Sequence, residues 1–170
     1  MKIKWKELII SIAIPLAVGG ISGFLNRNSM KDFENLNQPP LSPPGWLFPV
    51  VWTVLYVLMG IASYLIYTSY APKQQKKNAL TVYGGQLFFN FVWSFLFFNF
   101  SLYTFSFVWI VILWALIILT TLLFSKISKP AAYLMIPYIL WVSFAAYLNL
   151  GVAMLNRKTK NRFSQNTNRL

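Results

Sequence analysis

The chain has no cysteine and no histidine, and only 3 of its 170 residues are acidic: Glu7, Asp32 and Glu34. Without cysteine there are no disulfides, no thiol chemistry and no thiolate metal sites. Without histidine the commonest metal ligand and the side chain that titrates near neutral pH are both missing. Charge is also missing from long stretches. The 15 basic and 3 acidic residues all lie outside five apolar runs, Leu8–Leu25, Trp46–Tyr70, Ala79–Phe98, Tyr103–Phe124 and Ala131–Leu155. Proton-coupled pumps and transporters usually keep ionisable groups inside the membrane, so this pattern argues against them. With no carboxylate, His or Cys inside the runs, hydrolytic or acid-base catalysis is not expected there. No metal site and no resident cofactor are expected, and a haem would find no His or Cys for an axial bond.

What is present is apolar length. A helix needs about 20 residues to cross the hydrocarbon core of a bilayer, and each run supplies that. A soluble bundle needs charge on its outer faces, and these runs carry none. They are also too continuous for barrel strands, which alternate polar and apolar over about ten residues. The predicted fold is an all-α integral membrane protein, a five-transmembrane-helix bundle. Its helices are expected near 8–25, 46–70, 79–98, 103–124 and 131–155, followed by a basic tail over 156–170. The runs leave no room for a second domain, so a single membrane domain over 1–170 is expected. The net charge of +12 sits in the flanks, where lysine and arginine orient a membrane protein and meet anionic headgroups. The partner it implies is the lipid bilayer, not nucleic acid. The basic residues divide almost evenly between the two faces, so they do not fix orientation. The first apolar run is long for a secretory signal and lacks a small-x-small cleavage site, so a retained helix is expected.

The one substantial connection predicted is loop 1, from Asn26 to about Gly45, with Pro39, Pro40, Pro43 and Pro44 stiffening it. It is read as a rigid lid on the end of the bundle. The other loops are short, which makes helices 2–3, 3–4 and 4–5 expected antiparallel neighbours. Pro15, Pro49 and Pro137 fall within the spans as potential kinks. Gly19 with Gly23, and Thr81 with Gly85, form small-xxx-small pairs that could let helices approach closely.

Three helices carry matching stripes at spacings of three and four. Helix 2 has Trp52, Tyr56, Gly60, Ser63 and Tyr67. Helix 3 has Gln86, Asn90, Trp93, Ser94 and Phe97. Helix 5 has Tyr138, Trp141, Ala145 and Asn149. Amides facing lipid would be unsatisfied, so these faces should point inward. At ~1.5 Å per residue most of the set lies in the half of the bilayer nearest loop 1. Each residue alone is as readily interhelical glue or packing. Together they describe aromatic walls with a few polar groups, a site for a flat apolar ligand. Ala145, the smallest side chain on its stripe, is expected to set steric access.

The segment QPPLSPPGWLFPVVWTVLYVLMGIASYL resembles the start of helix 2 in the TspO/MBR family. This family includes the tryptophan-rich sensory proteins and the mitochondrial translocator protein. YGGQLFFNFVWSFLFF resembles its helix 3 and PYILWVSFAAYLN its helix 5. The resemblance implies a five-helix bundle that commonly dimerises. It implies a pocket for protoporphyrin IX or related tetrapyrroles, and for synthetic isoquinoline carboxamide ligands. Several bacterial members are reported to promote light- and oxygen-dependent porphyrin breakdown. Carried over by motif, the pocket residues are Trp52, Tyr56, Gln86, Asn90, Trp93, Trp141, Phe144, Ala145 and Asn149. Phe97 and Tyr138 join them from the inward stripes. Trp52 and Trp141 match the tryptophans implicated in degradation, and Trp141 is expected to matter at least as much as Trp52.

The chain also departs from the family. Asp32-Phe33 stands where Trp-Tyr is frequent, leaving Phe33 as a candidate contact. Gln38-Pro39-Pro40-Leu41 replaces a lysine-containing Lys-Pro-Ser motif. A cationic partner for a porphyrin propionate is thereby lost, and Arg27 or Lys31 would have to substitute. Leu150 replaces the tyrosine of the animal cholesterol motif, so no cholesterol role is expected. The expected function is porphyrin binding with photo-oxidative degradation, in a homodimer in the cell membrane. The alternatives are a tetrapyrrole transporter and a ligand-responsive sensor acting through a partner.

Overall fold

A computed structural model describes residues 3–34 and 36–167, with side chains described for 3–29 and 36–156. The chain forms α1 (Trp5–Glu34), α2 (Leu47–Tyr67), α3 (Lys73–Ser94) continued by a π-helical turn (Phe95–Asn99), α4 (Tyr103–Ser125) and α5 (Lys129–Thr167). All five helices contain a segment long and apolar enough to cross a membrane, and no strand occurs among the described residues. The fold is the all-helical five-span bundle that the sequence predicts.

Three helices run well past the apolar runs that identify them. Helix α1 continues to Glu34, through most of the segment read as the first half of loop 1. Helix α3 starts at Lys73, inside the expected loop 2, and α5 extends to Thr167 through most of the expected tail. An apolar run measures the depth of the hydrocarbon core. A helix stops only where residues stop favouring it, and Lys73–Ala79 and Met30–Glu34 are largely good helix formers. Pro72, with ψ 139°, marks the true start of α3. Pro49 falls in the first turn of α2, where a missing N–H costs nothing, so no kink is needed there.

Around the bundle α1 packs on α2, α2 on α5, α5 on α4 and α4 on α3, and α3 with its π turn closes back on α1. Helices α2 and α3 were expected to be neighbours because of their short connection. They do touch, and in the interior the Tyr56 hydroxyl reaches Asn90. Lys76 closes their connection by donating to the carbonyls of Tyr67 and Ser69, both at 3.1 Å, at the C-terminal end of α2.

Two close approaches set the rest. A Cβ on Gly60 would lie 2.5 Å from the Ile12 Cα and 2.8 Å from the Ser11 carbonyl oxygen, so only glycine lets α1 and α2 cross there. A Cβ on Gly151 would lie 2.5 Å from the Pro39 Cβ. That contact, with Tyr147 Oη donating to the Pro40 carbonyl at 3.0 Å and Asn156 Nδ2 to the Asn37 carbonyl at 3.0 Å, fastens the proline segment onto α5. Leu41 holds a φ of 69° at the outer bend of this segment, with its side chain exposed. Of the pairs Gly19/Gly23 and Thr81/Gly85, only Gly19 makes a close interhelical contact within the chain. Gly19 packs on the Tyr56 ring, Thr81 is exposed, and nothing lies within 4 Å of a Cβ built on Gly23 or Gly85.

Candidate functional site

The inward stripes are where the period places them. Gln86, Asn90, Trp93 and Phe97 of α3 and its π turn are buried, as are Tyr138, Ala145 and Asn149 of α5 and Tyr56, Gly60 and Ser63 of α2. Tyr67 departs, lying exposed at the end of α2. Membrane depth explains the rule: an amide in hydrocarbon has no water to bond, so it turns toward other helices.

What these groups face is mostly one another. Asn90 Nδ2 donates to Tyr138 Oη at 2.7 Å, and that hydroxyl donates to Gln86 Oε1 at 2.9 Å. Tyr56 Oη donates to Asn90 Oδ1 at 3.1 Å, and Gln86 Nε2 points at the Met59 sulfur at 3.8 Å. The chain joins α2, α3 and α5 at one level. A second link lies nearer the loop 1 end. Trp93 Nε1 donates to Asn149 Oδ1 at 3.1 Å, and Asn149 Nδ2 donates to the Tyr103 carbonyl at 2.8 Å. Each such bond contributes roughly 1 kcal/mol or less in a membrane bundle. Leaving one half unpaired costs more than the bond contributes.

The open space lies beside this network. A cavity of about 540 Å³ sits between the second half of α1, the start of α2 and the junction of α3 with the π turn. Trp52, Tyr56 and Trp93 line it. Trp52 stacks on Tyr56 at a centroid distance of 5.6 Å, lies 6.5 Å from Trp93 and meets the edge of Tyr138 at 6.1 Å. The opposite wall is α1, where Gly20 and Gly23 leave room for a ligand's bulk. A π turn often marks a functional site, and here it brings Phe98 to the cavity wall.

Of the twelve binding candidates, these three line the cavity. Gln86, Asn90, Phe97, Tyr138 and Asn149 stand behind them in the interior, and Ala145 is buried on α5. Trp141 and Phe144 pack together at 5.7 Å, outside this lining. Trp141 Nε1 is buried without a hydrogen-bond partner. Phe33 lies outside the residues whose side chains are described. No described residue of the proline segment lines the cavity, because that segment is fastened on the α5 side.

Sequence reasoning missed the α1 wall and Phe48. The signal was available in Gly20 and Gly23; the sequence reading pairs Gly23 with Gly19 as a helix-contact motif rather than as vacated volume. A second cavity of about 440 Å³, with Glu7, Ser63 and Tyr83 in its lining, lies between the same three helices at the other end. Among the described residues no cluster of His, Cys, Asp or Glu could hold a metal ion. The aromatic cavity can stack and enclose a flat ring, and its lining contains neither a carboxylate nor an amine.

Comparison with known proteins bears on this geometry. The family model described as "TspO/MBR family" matches residues 11–155. The chain belongs to the TspO/MBR family. It is 39% identical over 150 residues to the tryptophan-rich protein TspO of Chlorobaculum tepidum, covering 88% of this chain and 95% of that one. It is 33% identical over 134 residues to the translocator protein of Ovis aries, covering 77% and 79% of the two chains. To the translocator protein homolog of Schizosaccharomyces pombe it is 33% identical over 145 residues, covering 84% and 88%. In general terms this is a multi-pass, ligand-binding membrane protein of the tetrapyrrole-binding kind.

Proposed function

We propose that the chain binds protoporphyrin IX or a closely related tetrapyrrole in the cavity between α1, α2 and α3, and promotes its breakdown under light and oxygen. The observation that carries this reading is the aromatic wall of Trp52, Tyr56 and Trp93 facing the glycine-rich face of α1 across about 540 Å³. Such a slot suits a flat, rigid, largely apolar ring. Family membership supports it. The same slot is proposed to take isoquinoline carboxamide ligands.

The chemistry belongs to the ligand and to oxygen. An illuminated porphyrin excites dioxygen, and both oxygen atoms add across a methine bridge, which opens the ring. No outside electron donor is required. The protein holds the ring still, excludes water and places indoles nearby. Trp52 is proposed as the indole in contact, and Trp141 as one that acts from behind Phe48.

The reading extends to a homodimer in the cell membrane, which light scattering in a bilayer mimic tests through the particle mass. The central experiment adds protoporphyrin IX to purified protein in nanodiscs. Tryptophan fluorescence is followed in the dark and porphyrin absorbance under illumination. Saturable quenching in the dark with protein-dependent absorbance loss in light is expected. Absence of quenching after inner-filter correction refutes the site. Quenching without loss points to carriage or sensing instead, which uptake into sealed vesicles then distinguishes.

A further inference from the structure

We infer that the second cavity, between α1, α2 and α3 at the Glu7 end of the bundle, is a separate binding site. Its ligand is an uncharged, apolar compound with a carbonyl oxygen, which the Tyr83 hydroxyl reads. This goes beyond the porphyrin reading and does not depend on it, because the two cavities share no lining residue.

Tyr83 carries the argument. Its hydroxyl is buried without a hydrogen-bond partner, and the residue is 6% exposed. The ring is held from behind by Phe124 of α4, at a centroid distance of 5.9 Å. The Ser63 hydroxyl lies beside that of Tyr83 but donates to the Gly60 carbonyl at 2.9 Å, and no hydrogen bond joins the two. Tyr83 and Ser63 both line the cavity. A buried hydroxyl with no acceptor costs free energy, which an acceptor oxygen on a ligand recovers.

The rest of the lining sets the ligand's character. Ile10 and Ile14 of α1 and Leu80 and Leu87 of α3 wall a space of about 440 Å³, room for a small molecule. Gly84 keeps that space open, since a Cβ built on it meets nothing within 4 Å. A charged group would have to leave water for these aliphatic walls, and Glu7, the one charged residue in the described lining, would repel an acid. A carbonyl compound dissolved in the membrane meets both demands. Its body fills the aliphatic space and its oxygen accepts from Tyr83. The competing occupant is a lone water, which needs two to four polar partners, and the four aliphatic side chains offer it none.

The test uses full-length protein in nanodiscs of diether phosphatidylcholine, whose lipids carry no carbonyl. The probe is benzophenone. Under illumination its carbonyl carbon joins a neighbouring C–H carbon and the hydrogen moves to the oxygen, so the whole molecule is added and mass spectrometry locates it. Diphenylmethane, the same two rings without the oxygen, serves as competitor. Saturable labelling of the Ile10–Ile14 or Leu80–Leu87 stretch is expected, with diphenylmethane competing about fivefold more weakly than unlabelled 4-methylbenzophenone. Tyr83→Phe should weaken the ketones about fivefold, the scale of one hydrogen bond, and make the two competitors equal. It should melt at or above the wild-type temperature, because it removes an unpaired buried hydroxyl. Gly84→Leu should fold and lose the labelling, because its side chain fills the space. Wild type without saturable labelling leaves the cavity to water or acyl chains and overturns the inference. So does Tyr83→Phe with wild-type ketone affinity, or one that melts far below wild type, since the hydroxyl then has a partner inside the protein. Labels confined to Gly19–Gly23 or Trp52 place benzophenone in the aromatic cavity and also overturn it. Dark quenching by protoporphyrin IX, measured on the same variants, should stay at its wild-type value, so failure of either site is read separately.

Discussion

Trp141 meets Phe48 edge to face, at a centroid distance of 5.9 Å and an interplanar angle of 70°. Phe48 belongs to the cavity wall and Trp141 does not. The two tryptophans that the family motif pairs as equivalents are therefore unequal here. Trp52 can touch a ring in the cavity, whereas Trp141 stands one aromatic layer back. Trp52→Phe is expected to slow light-dependent porphyrin loss by about tenfold, the effect of about 1.4 kcal/mol on a barrier. Trp141→Phe should have the smaller effect, the reverse of the order expected from the sequence. Absorbance decay at matched occupancy measures both. The opposite order would mean that the ligand displaces Phe48 to reach Trp141.

Tyr138 Oη is the hinge of the buried network, accepting from Asn90 and donating to Gln86. Tyr138→Phe keeps the ring but strands one amide proton and one amide oxygen in a site without water. A loss of about 1–3 kcal/mol in unfolding free energy is expected, with unfolding followed in detergent by denaturant titration. An unchanged midpoint would mean that the Asn90 and Gln86 amides turn to bond each other.

The inward faces were legible because hydrocarbon enforces them. Gln86, Asn90 and Asn149 have no acceptable outward orientation, so spacing alone places them. Helix ends were not legible from hydropathy, which reports where the bilayer is rather than where a helix stops. Lys73 and Glu34 therefore came as extensions. The position of the empty space was not legible either. Polar residues mark the interior, but Tyr138, Asn90 and Gln86 satisfy one another and fill it. The cavity forms where side chains are missing, along Gly20 and Gly23, and a glycine reads equally as a contact or as a gap until the opposite helix is placed. Here Gly60 proved to be the contact and Gly23 the gap.

Ala145 illustrates the same ambiguity. It lies on the inward stripe of α5, is 5% exposed and does not line the aromatic cavity. A phenylalanine there has packed core in front of it rather than open space. Ala145→Phe is expected to destabilise the bundle by about 1–3 kcal/mol through overpacking, with ligand affinity falling only as folding does. A variant that melts like wild type yet loses porphyrin quenching would instead place the ligand against α5.

Gly60 and Gly23 supply a paired test of contact against gap. Alanine at Gly60 must push on the backbone of Ile12 and Ser11, which cannot rotate away. Gly60→Ala is therefore expected to cost about 1–3 kcal/mol. At Gly23 a new Cβ meets nothing within 4 Å. Gly23→Ala should cost nothing and can gain up to about 1 kcal/mol from helix propensity. Gly23→Leu goes further, because its side chain would occupy cavity volume opposite Trp52. It is expected to melt at or above the wild-type temperature while losing most porphyrin quenching. That combination separates occlusion from unfolding. If Gly23→Leu folds and still quenches with wild-type affinity, the ligand does not lie between α1 and Trp52, and the proposed site must move to another face of the bundle.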